Sequence, residues 1–94
     1  MHVGILTIEL LLHETRSLKQ KRYIISRLKD RIRKKFNVSV IEAGYQDKWQ
    51  RSLMGVACIS NNTRIINSAF DRILDMTEKS KDGFEILDSN IEIL

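Results

Sequence analysis

The 94 residues contain no proline, a single cysteine and a single tryptophan. With Cys58 alone, no disulfide can close within the chain and no cysteine cluster can hold a metal. No low-complexity tract, internal repeat or linker divides the sequence, so residues 1–94 read as one domain. Nothing approaches the ~18 consecutive apolar residues of a membrane helix. The opening MHVGILTIELLLHE lacks a basic n-region and carries Glu9 inside its apolar run, which argues against a secretory signal. The expectation is a soluble cytoplasmic protein with no membrane contact.

The chain does have enough apolar residues for a core, at 43%. A chain of this length buries roughly 60–65% of its unfolded surface, enough to fold alone with a thin margin. Its net charge of +4 conceals an asymmetry. Residues 1–60 hold twelve Lys/Arg against five Asp/Glu, whereas residues 61–94 hold four against seven. Ten of the sixteen basic residues lie between Arg16 and Lys35, where Asp30 is the sole acid. A polyanion would be expected to sit there.

HVGILTIELLLH alternates as a strand, with Leu6, Ile8, Leu10 and Leu12 on one face and Ile5, Thr7, Glu9 and Leu11 on the other. SLKQKRYIISRLKDRIRKKF reads as a helix. Ser17 and Gln20 suit a capping box, and Leu18, Ile25, Leu28, Ile32 and Phe36 recur at helical spacing, with Ile24 at the margin. NVSVIEAGY and WQRSLMGVACIS follow as a hairpin around a polar turn at Gln46–Lys48. A second helix, capped at Ser60, Asn61 or Asn62, buries Ile66, Ala69, Phe70, Ile73 and Leu74 and stops at Lys81–Asp82–Gly83. FEILDSNIEIL closes the chain as a strand with an open register near Ser89–Asn90. The order β-α-β-β-α-β predicts an α+β, ferredoxin-like domain: a four-stranded antiparallel sheet with two helices on one face. The other face is left open and partly apolar, and a second copy is its simplest cover, so a homo-oligomer is expected.

On the basic helix, Arg22, Lys29 and Arg33 line one edge of the apolar stripe, while Arg27, Arg31 and Lys34 lie round the far side. Tyr23 falls near the centre of the exposed face. Lys21 lies inside the apolar arc and is expected to snorkel its amine to water. A solvated face that keeps the protein soluble is one reading. Such a face usually mixes signs for i,i+4 pairs, whereas this one concentrates like charges that repel unless an anion relieves them. An exposed Tyr among cations adds a plane for base stacking beside phosphate contacts. RNA is therefore the expected partner, through Arg16, Lys19, Arg22, Tyr23, Arg27, Lys29, Arg31, Arg33, Lys34 and Lys35 on the helix, with Lys48 and Arg51 nearby. Reversing Arg27, Arg31 and Lys34 is expected to abolish binding and leave folding nearly unchanged. An acidic protein docked on the same surface, by an assembly module that oligomerises through its open face, is the alternative.

SLKQKR, FNVSVIEAG, QDKWQRSLMGVACIS and LDMTE together resemble the small bacterial YlxP-like family, a domain of unknown function. The most specific segment is E-x-G-x-x-D-x-W-Q-R at Glu42–Arg51; Ser17, Leu18, Lys19, Lys21 and Arg22 also match. The resemblance implies a ferredoxin-like fold, and a gene commonly beside those for a translation initiation factor and ribosome-binding factor A. It implies no settled activity, so no catalytic residue carries over. Position 45 is Tyr where relatives often have His, so a shared role that needs an imidazole does not carry over either.

The same residues have structural readings. Asp47 would cap a turn, Gly44 would allow a bulge, Trp49 would anchor the hairpin to the core or to a partner subunit, and Glu42 and Arg51 would pair across the strands. The functional reading is that Lys48, Gln50 and Arg51 extend the basic surface.

Enzyme readings rank low. His2 and His13 bracket the first strand on opposite faces with no third ligand, which is poor metal geometry. Cys58 lies in an apolar strand with no cation nearby in sequence, as an inert buried thiol does. Glu9 and Glu42 would need a cleft to work as a carboxylate pair, and an open sheet of this size supplies one only between subunits. No P-loop, G-x-G-x-x-G or G-x-S-x-G motif occurs. No metal and no cofactor are expected.

Overall fold

The computed structural model describes all residues 1–94. Six elements follow in order: β1 (His2–Leu12), α1 (Leu18–Lys35), β2 (Ser39–Gly44), β3 (Arg51–Ser60), α2 (Thr63–Glu78) and β4 (Phe84–Ile93). The strands form one antiparallel sheet in the order β2-β3-β1-β4, which is the ferredoxin-like arrangement. β1 and β3 are central; β2 and β4 are the edges.

The alternation in β1 decides which face the helices cover. Leu6, Ile8, Leu10 and Leu12 are fully buried, opposite Val56, Met54 and Ser52 of β3. Ile25, Leu28 and Ile32 from α1 and Ile66, Phe70 and Ile73 from α2 close over them. Gly4 belongs to this face. A Cβ there would lie 2.3 Å from Ile66 Cγ2 and 2.9 Å from Phe70 Cε2, so the missing side chain is what lets α2 approach β1. Cys58 is a free, buried thiol on the same face.

Both helix starts use local side-chain caps. Ser17 Oγ accepts from the Gln20 backbone N–H at 3.1 Å, and Gln20 Oε1 accepts in return from the Arg16 N–H at 2.9 Å, one residue earlier than in the usual box. Among the three cap candidates for α2, Asn62 takes the role: Arg64 N–H donates to Asn62 Oδ1 at 2.9 Å. The buried stripe of α2 extends one turn beyond Phe70 and Ile73 to Thr77, whose hydroxyl donates to the Ile73 carbonyl at 2.7 Å. Gly83, at φ 83°, reverses the chain into β4. The β4 register shifts beside Leu87, between the pairs Glu9–Asp88 and Leu10–Ile86.

The open face carries Ile5, Thr7, Glu9 and Leu11 from β1 and Arg51, Leu53, Gly55, Ala57 and Ile59 from β3. Ile41 of β2 and Ile59 are 60% and 62% exposed there. No helix is long and apolar enough to cross a membrane.

Candidate functional site

Nine cations lie on α1 and a tenth, Arg16, just before its cap, and the fold uses only some of them. Arg31 donates to Asp82 at 2.8 Å and to Ser80 at 2.9 Å, and Arg27 lies 3.6 Å from the same carboxylate. Both guanidinium groups therefore tie the outer side of α1 to the turn before β4. Arg33 reaches the other way. It donates to the Val40 carbonyl on the free edge of β2 at 2.9 Å and sits 3.7 Å from Asp30. Arg16, Lys19, Arg22, Lys29, Lys34 and Lys35 enter no ion pair.

These cations do not form one patch. Arg22, Lys29 and Arg33 line a groove of about 440 Å³ between α1 and the β2 edge, completed by Val40, Ile41, Glu42 and Gln46. Gln46 Nε2 donates to the Glu42 carbonyl at 3.1 Å, so the outward carbonyls of β2 are capped at both ends of this groove. Tyr23 is 64% exposed, with the Arg27 guanidinium 5.6 Å from its ring centroid. Lys35 faces α2 instead, beside Phe36, Asp71, Arg72, Asp75 and Met76.

Lys21 corrects the snorkelling expectation. Its side chain is fully buried, and its amine lies 3.0 Å from Glu42 Oε2 and donates to the Tyr45 carbonyl. The buried Ser52 hydroxyl donates to the same carboxylate oxygen at 2.6 Å. A cation inside the apolar arc and a glutamate one alternation beyond Val40 thus meet under the hairpin. The sequence signal was present in that pairing, but only the strand register shows that Glu42 faces α1: it lies opposite buried Met54.

The same register separates Glu42 from Arg51, correcting the expected pair. Arg51 lies on the open face, opposite Leu11, and binds Glu9 at 2.8 Å. It is also 5.1 Å from the Tyr45 ring centroid, and the Tyr45 hydroxyl donates to Glu9 at 3.3 Å. Arg51 therefore does not extend the α1 surface. Glu9 and Glu42 point to opposite faces and do not form a carboxylate pair.

Tyr45 holds φ 58°, the left-handed region that a bulky residue rarely adopts. Two donors fix its carbonyl, Lys21 Nζ and the Lys48 backbone N–H at 3.0 Å. Gly44 precedes it as expected. The β2–β3 register shifts between Glu42 and Gly44, and a Cβ at Gly44 would lie 3.3 Å from Leu53 Cβ.

The loop from Tyr45 to Gln50 is held by backbone groups. Thr15 Oγ1 donates to the Trp49 carbonyl, and the Leu12 N–H donates to the Gln50 carbonyl at 2.8 Å. The side chains do something else. Trp49 is 53% exposed and anchors nothing in the core. Asp47 accepts no backbone amide, contrary to the expected turn cap, and neither Asp47 nor Lys48 enters an ion pair. Asp47, Lys48, Trp49, Gln50 and Arg51 line one open depression of about 390 Å³.

No group of three or more His, Cys, Asp or Glu side chains is arranged to hold a metal ion. His13 pairs with Glu85 at 3.2 Å.

The family model described as "Protein of unknown function (DUF503)" matches residues 3–91. "Uncharacterized protein YlxP" of Bacillus subtilis (strain 168) is 38% identical over 72 residues, covering 77% of this chain and 78% of the relative. With the family model matched over residues 3–91 and the relative 38% identical over 77% of the chain, the chain belongs to the DUF503 family of proteins of unknown function.

Proposed function

We propose that this protein binds structured RNA, ribosomal RNA in particular, through the α1 edge that faces β2. The observation that carries the reading is a row of cations, Arg22, Lys29 and Arg33, facing a groove in which no protein carboxylate pairs with Arg22 or Lys29. At 1.5 Å per residue the row spans about 16 Å, several phosphates' length of a nucleic-acid backbone. Lys19 and Lys34 stand unpaired on the outer surface, on the same side of α1 as exposed Tyr23, with Lys34 about three turns further along. RNA is favoured over DNA because no helix-turn-helix or other major-groove motif is present. The gene neighbourhood implied by the family resemblance points the search to the ribosome.

The test is binding to purified ribosomal subunits and to total RNA at two salt concentrations. The expected result is saturable binding to one subunit that weakens steeply with salt, as counterion release requires. Absence of binding at low salt, where nonspecific attraction is strongest, overturns the reading and leaves an acidic protein as the partner of the groove.

The open sheet face supports a second, compatible proposal, self-association. Ile5, Thr7, Ser39, Ile41, Ala43, Gly55, Val56 and Ala57 line an apolar depression of about 310 Å³. Its floor is small residues, and exposed Ile41 and Ile59 stand on the same face. Projections and a hollow on one patch are what a two-fold, isologous contact uses. Ile41→Glu is expected to yield a monomer of unchanged fold in sedimentation equilibrium, because Ile41 contributes little to the core of a single chain. A wild-type chain that sediments as a monomer at high concentration removes the proposal.

A further inference from the structure

The hairpin end is built unlike the rest of the molecule. Its backbone is fixed at both sides of the loop, by Thr15 and Leu12 on Trp49 and Gln50 and by Lys21 on Tyr45. Its side chains are left over. Asp47 has no donor, Lys48 has no acid, and the Gln50 amide makes only a contact at the limit of hydrogen bonding, 3.5 Å to the His13 carbonyl. Trp49, the only tryptophan, offers half its surface to solvent. A rigid frame carrying unused polar groups around an exposed indole is arranged for a ligand.

Three chemistries meet in the depression these residues line. Trp49 offers a flat π face, on which a base stacks for about 1–3 kcal/mol. Lys48 offers positive charge. Asp47 offers an acceptor only, since an ionised carboxylate has no proton to donate. A bare phosphate suits Lys48 but is repelled by Asp47, and an apolar side chain suits Trp49 alone. A nucleotide supplies a ring, N–H donors and a negative charge together.

The carboxylate also discriminates between bases. The Watson–Crick edge of guanine presents two adjacent donors, N1–H and the N2 amino group, which match the two oxygens of one carboxylate. Adenine and cytosine set a ring-nitrogen acceptor beside their amino donor, and uracil flanks its single N–H with two carbonyls; each opposes a lone pair to the second carboxylate oxygen. We propose that the Asp47–Gln50 hairpin end captures one unpaired guanine of the RNA, stacked on Trp49 and hydrogen-bonded by Asp47, with Lys48 on a neighbouring phosphate. This rests on the RNA reading and adds sequence preference to it: the α1 groove holds backbone, and the hairpin reads a base.

The sole tryptophan makes the test direct. The intact protein is titrated at low salt with the hexaribonucleotides UUGUUU, UUAUUU, UUCUUU and UUUUUU while Trp49 emission is followed. Expected are quenching by UUGUUU and at least tenfold tighter binding than to the other three. Asp47→Asn should reduce that preference to about threefold or less while binding to UUUUUU stays within twofold. Because Asp47 bonds to nothing in the fold, this variant should unfold at the wild-type temperature. Equal affinity for all four hexamers with unchanged emission overturns the guanine site and leaves the α1 reading intact. Failure of wild-type protein to bind either hexamers or total RNA at low salt overturns both.

Discussion

Glu42→Ala is expected to destabilise the protein by about 3–5 kcal/mol, the usual cost of leaving a buried charge without its partner. Lys21 Nζ lies 3.0 Å from Glu42 Oε2 on a fully buried side chain, and after the truncation its amine keeps only the Tyr45 carbonyl. The buried Ser52 hydroxyl loses its carboxylate acceptor in the same step. A domain of this size has roughly 5–14 kcal/mol of stability in all, so the loss is a large fraction of it. At about 4–8 °C per kcal/mol, the midpoint should fall by at least 12 °C.

The pair itself is not expected to be worth that much. Bringing two charges out of water costs several kcal/mol per ion, which their mutual attraction only offsets. The double variant Lys21→Met/Glu42→Gln should therefore recover most of the loss. Its amide oxygen still accepts from Ser52, while Met fills the space of the lysine stem and leaves no buried charge. Urea midpoints for Lys21→Met, Glu42→Gln and the double variant form a cycle, with an expected coupling of at least about 2 kcal/mol. A Glu42→Ala variant within 1 kcal/mol of wild type would mean that the lysine finds water once its partner is gone. The hairpin would then owe its position to Thr15 and Leu12 instead.

The same pair marks where sequence and structure part. The α1 stripe was legible because Leu18, Ile25, Leu28 and Ile32 repeat at 3.6 residues whatever lies opposite. The two faces of β1 were legible for the same reason at a period of two. Side-chain partners across elements depend on register, and one residue of slip exchanges the faces of a strand. The sequence allowed Glu42 to meet Arg51, but the register puts Glu42 under α1 and Arg51 on the open face with Glu9. A cation inside an apolar arc was the available clue; its acid had to be located by topology. The division of the α1 charges was half visible. Helical spacing placed Arg22, Lys29 and Arg33 on one edge, but nothing local showed that Asp82, more than fifty residues away in sequence, would engage Arg27 and Arg31.

That division changes which charges should be reversed. Reversing Arg27 and Arg31 sets two carboxylates against Asp82, whose side chain is only 14% exposed, so such a variant loses a tie between α1 and the β4 turn along with its charge. It is not the fold-neutral change that the sequence suggested. Lys19→Glu/Arg22→Glu/Lys29→Glu is cleaner, because none of the three side chains enters an ion pair. Lys19 and Arg22 lie in the first turns of α1, where negative charge is favoured by the helix dipole. Thermal stability should therefore hold or rise slightly. RNA affinity at about 0.15 M salt should fall at least a hundredfold, about 2.8 kcal/mol at 1.4 kcal/mol per decade. The magnitude of the slope of log affinity against log salt should drop by about 2–3, one unit or slightly less per lost phosphate contact. The slope is the more telling readout, since a misfolded protein loses affinity without a defined change in counterions released. A well-folded triple variant with wild-type slope would take the phosphate contacts off this edge of α1. Lys34, and Lys35 on the α2 side, would then be the remaining unpaired cations near the helix end from which to begin again.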